Sequence, residues 1–224
     1  MDATLNCDQR EAVNTLSGPL LVLAGAGSGK TRVLTYRIAY LVQALEVSPY
    51  SILAVTFTNK AANEMRKRIE GFLGFTVRGM WIGTFHGLSH RILRDHHELA
   101  GLPKGFEILD SDDQYRVIRR ALKELNLDEG YWPPRQIQWF INSQKEEGRR
   151  ATQVQDNGDS HQQTLIRVYT HYEENCQRLG LVDFAELLLR TLELLEQTPS
   201  LLDAYQQRFQ HILVDEFQDS NEIQ

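Results

Sequence analysis

Four short apolar runs, each bounded by glycine, proline or polar residues, predict buried strands. They are residues 20–24, 52–55, 81–84 and 211–214. After the first run, apolar residues recur at helical spacing at Leu34, Ile38, Leu41 and Leu45. Strands that are apolar throughout and alternate with helices are typical of a parallel sheet covered by helices. The pattern therefore predicts an α/β fold.

The middle of the chain changes to a helical pattern, in which apolar residues recur every three or four positions. Ser111 with Gln114 forms a predicted capping box, and Pro133-Pro134 is typical of a helix start. The polar stretch from Gln153 to Gln163 predicts a loop. A compact strand–helix core does not need this much chain. We therefore predict an all-α subdomain at 87–208, inserted between the α/β segments 1–86 and 209–224.

Composition limits the class of protein. The 224 residues carry a formal net charge of −6, whereas a protein that binds nucleic acid over its whole surface is usually basic. Binding of nucleic acid would therefore need a local stripe of basic residues. The sequence shows no apolar run of membrane-spanning length and no secretory signal pattern. Cys7 and Cys176 are far apart and indicate free thiols in a reducing compartment, so we expect a cytoplasmic protein without a membrane partner.

A glycine-rich turn joins the first predicted strand to a helix, which is the context of a phosphate-binding loop. Three glycines let backbone N–H groups face phosphate oxygens, Lys30 supplies a cation, and the Thr31 hydroxyl is a predicted magnesium ligand. Ala24 stands where the usual pattern has a first glycine, and a small residue still fits there. The predicted nucleotide-binding residues are Ala24, Gly25, Ala26, Gly27, Ser28, Gly29, Lys30 and Thr31.

Adjacent carboxylates follow the last predicted strand. Ligands in open α/β sheets bind at the carboxyl ends of the strands, so Asp215 and Glu216 are predicted to face the phosphate loop. Asp215 suits magnesium, and Glu216 suits a general base that orients the attacking water. Alone, an Asp-Glu pair after a core strand would be weak evidence. Together with a phosphate loop it predicts a nucleoside triphosphatase.

Further motifs lie between the loop and the acids. They are Leu5 to Val13, the segment Thr-Phe-Thr-Asn-Lys-Ala-Ala from Thr56, Gly-Thr-Phe-His from Gly83, and Asp-Glu-Phe-Gln-Asp from Asp215. In this order the set resembles the UvrD/Rep/PcrA family of superfamily I DNA helicases, and the resemblance runs from Leu5 to Gln224. The phosphate loop is shared with many NTPases, but the combination of motifs is specific.

The resemblance implies roles at the nucleotide. Gln9 corresponds to a glutamine that contacts the adenine edge, since an amide offers one donor and one acceptor there. Arg32 corresponds to an arginine near the base. Gln218 corresponds to a glutamine that senses the terminal phosphate and links the nucleotide site to the DNA site. The implied catalytic residues are thus Lys30, Asp215, Glu216 and Gln218, with Thr31 and Asp215 on magnesium.

The resemblance also implies contacts with single-stranded DNA by Phe57, Thr58, Asn59, Thr84 and His86. From the residues alone, Phe57 and Phe85 fit core positions slightly better than stacking positions. In the helical insertion, Trp132 and Trp139 are expected in the core and the Arg149-Arg150 pair on the surface, although all four could face DNA.

The implied fold is a RecA-like P-loop domain, and the implied cofactors are ATP and Mg2+. The implied function is 3′–5′ DNA helicase activity in repair or replication, with single-stranded DNA, strand junctions and repair proteins as partners.

The family has a second RecA-like domain, which is missing from this sequence. We therefore expect the N-terminal part of a helicase, with no unwinding by this chain alone and a gap in the sheet beside residues 20–24. The alternative is a non-catalytic nucleotide- or DNA-binding module. The helicase half of a recombination nuclease fits less well, because it needs a longer chain.

Overall fold

The computed structural model describes residues 5–25 and 27–224. Within them the regular elements, in chain order, are α1 (Cys7–Asn14), α2 (Lys30–Gln43), β1 (Ile52–Thr56), α3 (Asn59–Leu73), β2 (Trp81–Thr84), α4 (Phe85–Asp95), β3 (Glu107–Ile108), α5 (Ser111–Glu124), α6 (Pro134–Glu146), α7 (Ser160–Leu179), β4 (Leu181–Val182), α8 (Phe184–Gln197), α9 (Pro199–Arg208) and β5 (His211–Val214). Single 3-10 turns lie at Pro49–Ser51, Ala151–Gln153 and Phe217–Asp219. No helix in these ranges is long and apolar enough to cross a membrane.

The chain divides into two compact units. The first unit contains the described residues up to Leu88 together with Ser200–Asp219. The second unit contains Ser89–Pro199 together with Ser220–Gln224.

A three-stranded parallel sheet forms the centre of the first unit, in the order β2-β1-β5. Leu53 in the central strand lies opposite Trp81 on one side and Ile212 on the other. The prediction of an α/β fold with a parallel sheet is confirmed, and the sheet is small. Predicted strands 52–55, 81–84 and 211–214 are present in it.

Helices α2 and α3 supply the apolar side chains that cover the sheet. Ile38, Met65 and Ile69 are fully buried in one cluster with residues of the sheet, including Ile52. Arg66 on α3 donates a hydrogen bond of 2.7 Å from Nη2 to the carbonyl oxygen of Ile82 in β2. The register of the helix against the sheet is therefore fixed by packing and by a polar contact.

The predicted buried strand at residues 20–24 is wrong. This segment has no regular structure and is exposed, with 65% of Leu21 and 86% of Leu23 accessible to solvent. A strand forms only when another backbone lies alongside it, and no described strand pairs with these residues. Apolar composition predicted burial here, but composition alone does not provide the partner strand.

We expect amide hydrogen exchange to be fast at Leu20–Leu23 and slow in β1. The first segment has no ladder hydrogen bonds with described residues, whereas β1 is paired on both sides. Exchange measured by mass spectrometry after brief labelling checks this expectation. Equally slow exchange in both segments would show that residues 20–24 are paired in solution.

The second unit is a helical assembly of α5, α6, α7 and α8. Ile118, Ile141, Val168 and Tyr169 are fully buried in its core. Two features differ from the prediction. The pair β3–β4 forms a short parallel ladder. Each of its strands has two residues, which is too short for a strand pattern to be recognised in the sequence. The cap of α5 is Asp110, whose carboxylate accepts from Asp112 N and Asp113 N at 2.8 Å.

The tryptophans and arginines of the second unit divide differently from the expectation. Trp132 is buried as predicted, but Trp139 is 73% exposed. The apolar stripe of α6 runs through Ile137 and Ile141, and a residue midway between two positions four apart lies on the opposite side of a helix. Arg150 is not a free surface residue, because its side chain is only 18% exposed and ion-paired.

A buried ion cluster lies under that arginine. Lys145 Nζ is 2.7 Å from Asp183 Oδ2 and 2.8 Å from Glu186 Oε2, and each of the three side chains is at most 5% exposed. Arg150 Nη1 is 2.7 Å from the same Glu186 oxygen. Burial alone would lower the pKa of Lys145, but the two carboxylates outweigh burial and raise that pKa. The Tyr172 hydroxyl donates to Asp183 at 2.7 Å, which completes the cluster.

Candidate nucleotide and DNA site

The three parallel strands end within one residue of one another. Thr56 in β1 lies opposite Thr84 in β2, and Val55 lies opposite Val214 in β5. The residues that immediately follow the strands therefore share the carboxyl edge of the sheet. They are Phe57, Phe85 and Asp215, and this edge is where parallel sheets bind ligands.

The glycine-rich loop turns sharply before α2. Gly27 and Gly29 have φ angles of 77° and 93°, a region that favours glycine. A Cβ atom at Gly29 would also lie 3.0 Å from Gln9 Nε2. Ser28 closes the turn, since its Oγ donates to the Gly25 carbonyl oxygen at 2.6 Å. Ala26, a predicted nucleotide-binding residue, lies outside the described residues.

Lys30 is the first residue of α2, and its ammonium group turns back over the loop. Nζ donates to the carbonyl oxygen of Ala24 at 3.3 Å and lies 3.8 Å from Glu216 Oε2. Both contacts are long, and the Lys30 side chain is 26% exposed. An anion placed at the N-terminus of α2 would therefore find this cation within reach and only weakly engaged.

Thr31 and Asp215 meet directly, although they are far apart in the chain. Thr31 Oγ1 donates to Asp215 Oδ2 at 3.2 Å, and the Asp215 N–H donates to the Val55 carbonyl oxygen at 2.9 Å. Burial raises the pKa of Asp215; the Thr31 hydrogen bond lowers it, and the Glu216 charge raises it further. Asp215 is only 5% exposed, and its carboxylate beside the Thr31 hydroxyl is an oxygen set that suits Mg2+.

Gln9 lies against the loop. Its Nε2 donates to the carbonyl oxygen of Ser28 at 2.9 Å, and its Oε1 accepts from Asn6 N at 3.1 Å. Asn6 and Gln9 form a capping box at the start of α1.

Arg37, which was not predicted from the sequence, donates from Nη1 to the Ala12 carbonyl oxygen at 2.8 Å and holds α1 on α2. Nothing in the sequence distinguishes Arg37 from an ordinary surface arginine.

Glu216 adopts a left-handed backbone conformation, with φ of 54°. This conformation is costly for a residue with a Cβ atom and is found preferentially at functional turns. It precedes the 3-10 turn Phe217–Asp219. Gln218 Nε2 donates to Glu216 Oε2 at 2.6 Å, so the amide predicted to sense phosphate contacts the predicted base. Arg32, in the first turn of α2, lies with its guanidinium carbon 5.6 Å from the centre of the Tyr36 ring.

The predicted DNA-binding residues follow β1 and β2. Phe57 and Phe85 are partly buried and pack edge to face, with ring centres 5.5 Å apart. Asn59 is exposed, and Thr58 caps α3 by accepting from Ala61 N at 3.1 Å. Thr84 Oγ1 accepts from Gly87 N at 3.1 Å, and burial lowers the pKa of His86. The structure thus brings the predicted residues Phe57, Thr58, Asn59, Thr84 and His86 to one edge of the sheet.

Residues 5–224 match the family model described as the UvrD/REP helicase N-terminal domain. The chain belongs to this family. The predicted resemblance to UvrD-type helicases is thereby confirmed over nearly all of the sequence.

Relatives of this UvrD/REP helicase N-terminal domain are longer proteins. DNA helicase II of Escherichia coli K12 is 59% identical over 221 residues, which cover 99% of this chain and 31% of the relative. DNA helicase II of Haemophilus influenzae is 56% identical, and ATP-dependent DNA helicase PcrA of Leuconostoc citreum is 47% identical. The chain spans about a third of the length of these relatives.

Proposed function

We propose that the chain binds ATP with Mg2+ and single-stranded DNA as part of a 3′–5′ DNA helicase. In this proposal residues 1–86 and 209–224 form a RecA-like P-loop domain, and residues 87–208 are the inserted helical subdomain. The observation that carries the proposal is the contact between Thr31 and Asp215, next to Lys30 at the N-terminus of α2. This contact would place the magnesium ligands beside the phosphate-binding cation, at the sheet edge where Glu216 would activate water.

Binding and orientation of the nucleotide are assigned to the loop and α1. Backbone N–H groups of the loop and of the first turn of α2 would cradle phosphate oxygens, and Lys30 would exchange the Ala24 carbonyl for a phosphate oxygen. Gln9 would offer its amide to the adenine edge, with Arg32 near the base. Thr31 and Asp215 would hold Mg2+, which when bound neutralises charge on the phosphates.

Movement of the proton is assigned to Glu216. Its carboxylate would accept a proton from the attacking water. Its hydrogen bond from Gln218 would link the protonation of Glu216 to the other residues at the carboxyl edge of the sheet. The DNA strand would cross the same edge at β1 and β2, with a base against the Phe57–Phe85 pair. Since β1 lies between β2 and β5, one strand joins the proposed DNA contacts to the carboxylates.

The nucleotide assignment is tested by Lys30→Ala. We expect Mg-ATP affinity to fall by roughly 10- to 100-fold, because a charge-assisted hydrogen bond to a phosphate contributes about 1.5–3 kcal/mol. Isothermal calorimetry measures it, with Lys123→Ala on exposed α5 as a control that keeps wild-type affinity. Circular dichroism establishes that both variants are folded. Equal affinities of the two variants would place the nucleotide elsewhere.

The DNA assignment is tested by Phe57→Ala against Phe75→Ala. Phe75 is 50% exposed and follows the far end of α3, whereas Phe57 precedes that helix. We expect only Phe57→Ala to weaken binding of an oligothymidylate, by roughly 5- to 100-fold, because stacking contributes about 1–3 kcal/mol per base. Fluorescence anisotropy at several salt concentrations should also show affinity falling as salt rises. Weakening by both variants alike, or salt-independent binding, would count against a strand at this edge.

The activity of the whole protein follows the same proposal. ATP hydrolysis would drive translocation and duplex unwinding at strand junctions, in the cytoplasm and with repair proteins as further partners. Turnover of ATP with and without single-stranded DNA distinguishes this function from that of a non-catalytic binding module.

A further inference from the structure

An aromatic groove lies on the second unit, away from the proposed nucleotide residues in sequence. It is a cavity of about 460 Å³ formed by the turn before α6, α6 itself and the start of α7. We define the groove by Tyr131, Trp132, Trp139, Phe140 and His161. Trp132 forms its floor, with the His161 ring stacked on it at a centroid distance of 4.6 Å.

Two of these aromatic side chains are exposed to solvent. Tyr131 is 74% exposed and Trp139 is 73% exposed. Neither contributes to the core cluster of the second unit, whereas Trp132 does. Exposed Trp and Tyr beside a cavity of this size are the residue types that carry most of the binding energy at protein interfaces.

Amide side chains line the neighbouring cavity. This second cavity, about 290 Å³, shares Phe140 with the aromatic groove and is lined by Gln144, Gln153, Gln155, Gln162, Arg149 and Val154. Gln144 and Gln153 accept from Arg149 Nη1 and Arg150 N, and Gln162 donates to the Gln155 carbonyl oxygen. The remaining amide groups offer the same kinds of donor and acceptor that a peptide backbone presents. An apolar pocket next to an amide-lined pocket suits a segment with an apolar side chain and an extended backbone.

The charge around the groove is negative. The second unit contains 20 Asp and Glu against 14 Lys and Arg, a formal charge of −6, whereas the first unit has 10 of each. Both cations that line the cavities are neutralised, Arg135 by Asp112 at 3.0 Å and Arg149 by Glu147 at 2.8 Å. The exposed carboxylates that flank the cavities have no ion pair among the described residues; they are Asp128, Asp156 and Asp159. This field repels phosphates and attracts cationic side chains.

We propose that the aromatic groove docks a short basic segment of a partner protein. One aliphatic or aromatic side chain of the segment enters the cavity between Trp139 and Trp132. Its backbone pairs with the glutamine amides, and flanking Lys or Arg side chains face Asp128 and Asp156. Charge complementarity selects such a peptide over a DNA strand at this surface.

A random peptide library displayed on phage, selected on the immobilised chain, tests the proposal. We expect enrichment of sequences with an apolar anchor flanked by Lys or Arg, and loss of their binding when salt is raised. Enriched sequences are then synthesised and titrated into labelled protein. The chain has three tryptophans, so indole N–H signals in NMR spectra report directly. Those of Trp132 and Trp139 should shift, while that of Trp81, in the first unit, should not.

Separate variants test the contribution of the apolar contact at Trp139 and that of the flanking carboxylates to peptide binding. Trp139→Ala should lower the affinity for the peptides by about tenfold or more, because an aromatic anchor contributes more than about 1.4 kcal/mol. Leu99→Ala, at a 62% exposed residue of the same unit outside both cavities, should leave affinity unchanged. Asp128→Asn with Asp156→Asn should weaken binding and reduce its salt dependence. Enrichment of acidic peptides, no enrichment, binding that survives Trp139→Ala, or a shift of the Trp139 signal by oligothymidylate at lower concentration than by peptide would each overturn the proposal.

Discussion

Lys145→Ala is expected to destabilise the second unit by about 3–5 kcal/mol, the typical cost of removing one partner of a buried ion pair. The substitution leaves Asp183 and Glu186 buried without the ammonium that lies within 2.8 Å of both. Arg150 and Arg190 still contact Glu186. Among the described residues, the Asp183 carboxylate keeps only the hydrogen bonds from the Tyr172 hydroxyl and from the Glu186 N–H at the start of α8. The loss therefore falls mainly on Asp183.

Denaturant unfolding followed by circular dichroism measures this change. Lys123→Ala, which removes an exposed lysine from α5, is the matched control and should stay within about 0.5 kcal/mol of the wild type. Lys145→Met keeps most of the volume and still removes the charge, so it should destabilise nearly as much as Lys145→Ala. If Lys145→Met were as stable as the wild type, packing and not charge would hold the cluster together.

Trp81→Ala is expected to destabilise the first unit by about 3–5 kcal/mol, the range for truncating a buried large aromatic residue. Trp81 is 1% exposed, although it begins a strand at one edge of the sheet. Tyr205 and Phe209 cover it, with ring centres 5.8 and 5.1 Å away, and the Arg208 guanidinium lies 5.2 Å from its centre. The substitution removes the side chain against which the C-terminal part of α9 packs.

Trp139→Ala provides the comparison, because it removes the same side chain from an exposed position. We expect a change within about 0.5 kcal/mol for Trp139→Ala, measured in the same denaturant titration. Comparable losses from the two variants would mean that Trp139 is covered in solution.

Most of the fold was predictable because its signals are local. Continuous apolar runs identified β1, β2 and β5, and helical spacing identified α2, α5, α6 and α7. The order of motifs along the chain also indicated the family. These features depend on residues near each other in sequence, for which periodicity is a sufficient guide.

The remaining features depend on contacts between distant residues. Residues 20–24 have the composition of a strand, but pairing decides whether a strand forms, and no described neighbour pairs with them. Arg150 looks like a surface residue until α7 and α8 bring Glu173, Glu186 and Glu193 to it. For the candidate site, sequence supplied the residue types, whereas the 3.2 Å approach of Thr31 to Asp215 required the folded sheet.

The close alignment of the strand ends has a consequence for how this edge can change in evolution. Neighbouring strands are about 4.8 Å apart whatever their side chains, since backbone hydrogen bonds set the spacing. The separation between Phe57 after β1 and Asp215 after β5 is therefore a property of the backbone. Substitutions after the strands can retune affinity or specificity without altering that separation. An insertion or deletion within β1 would instead shift Phe57 relative to Asp215 along the strand direction, and we expect sequence length to vary in the loops and not in this strand.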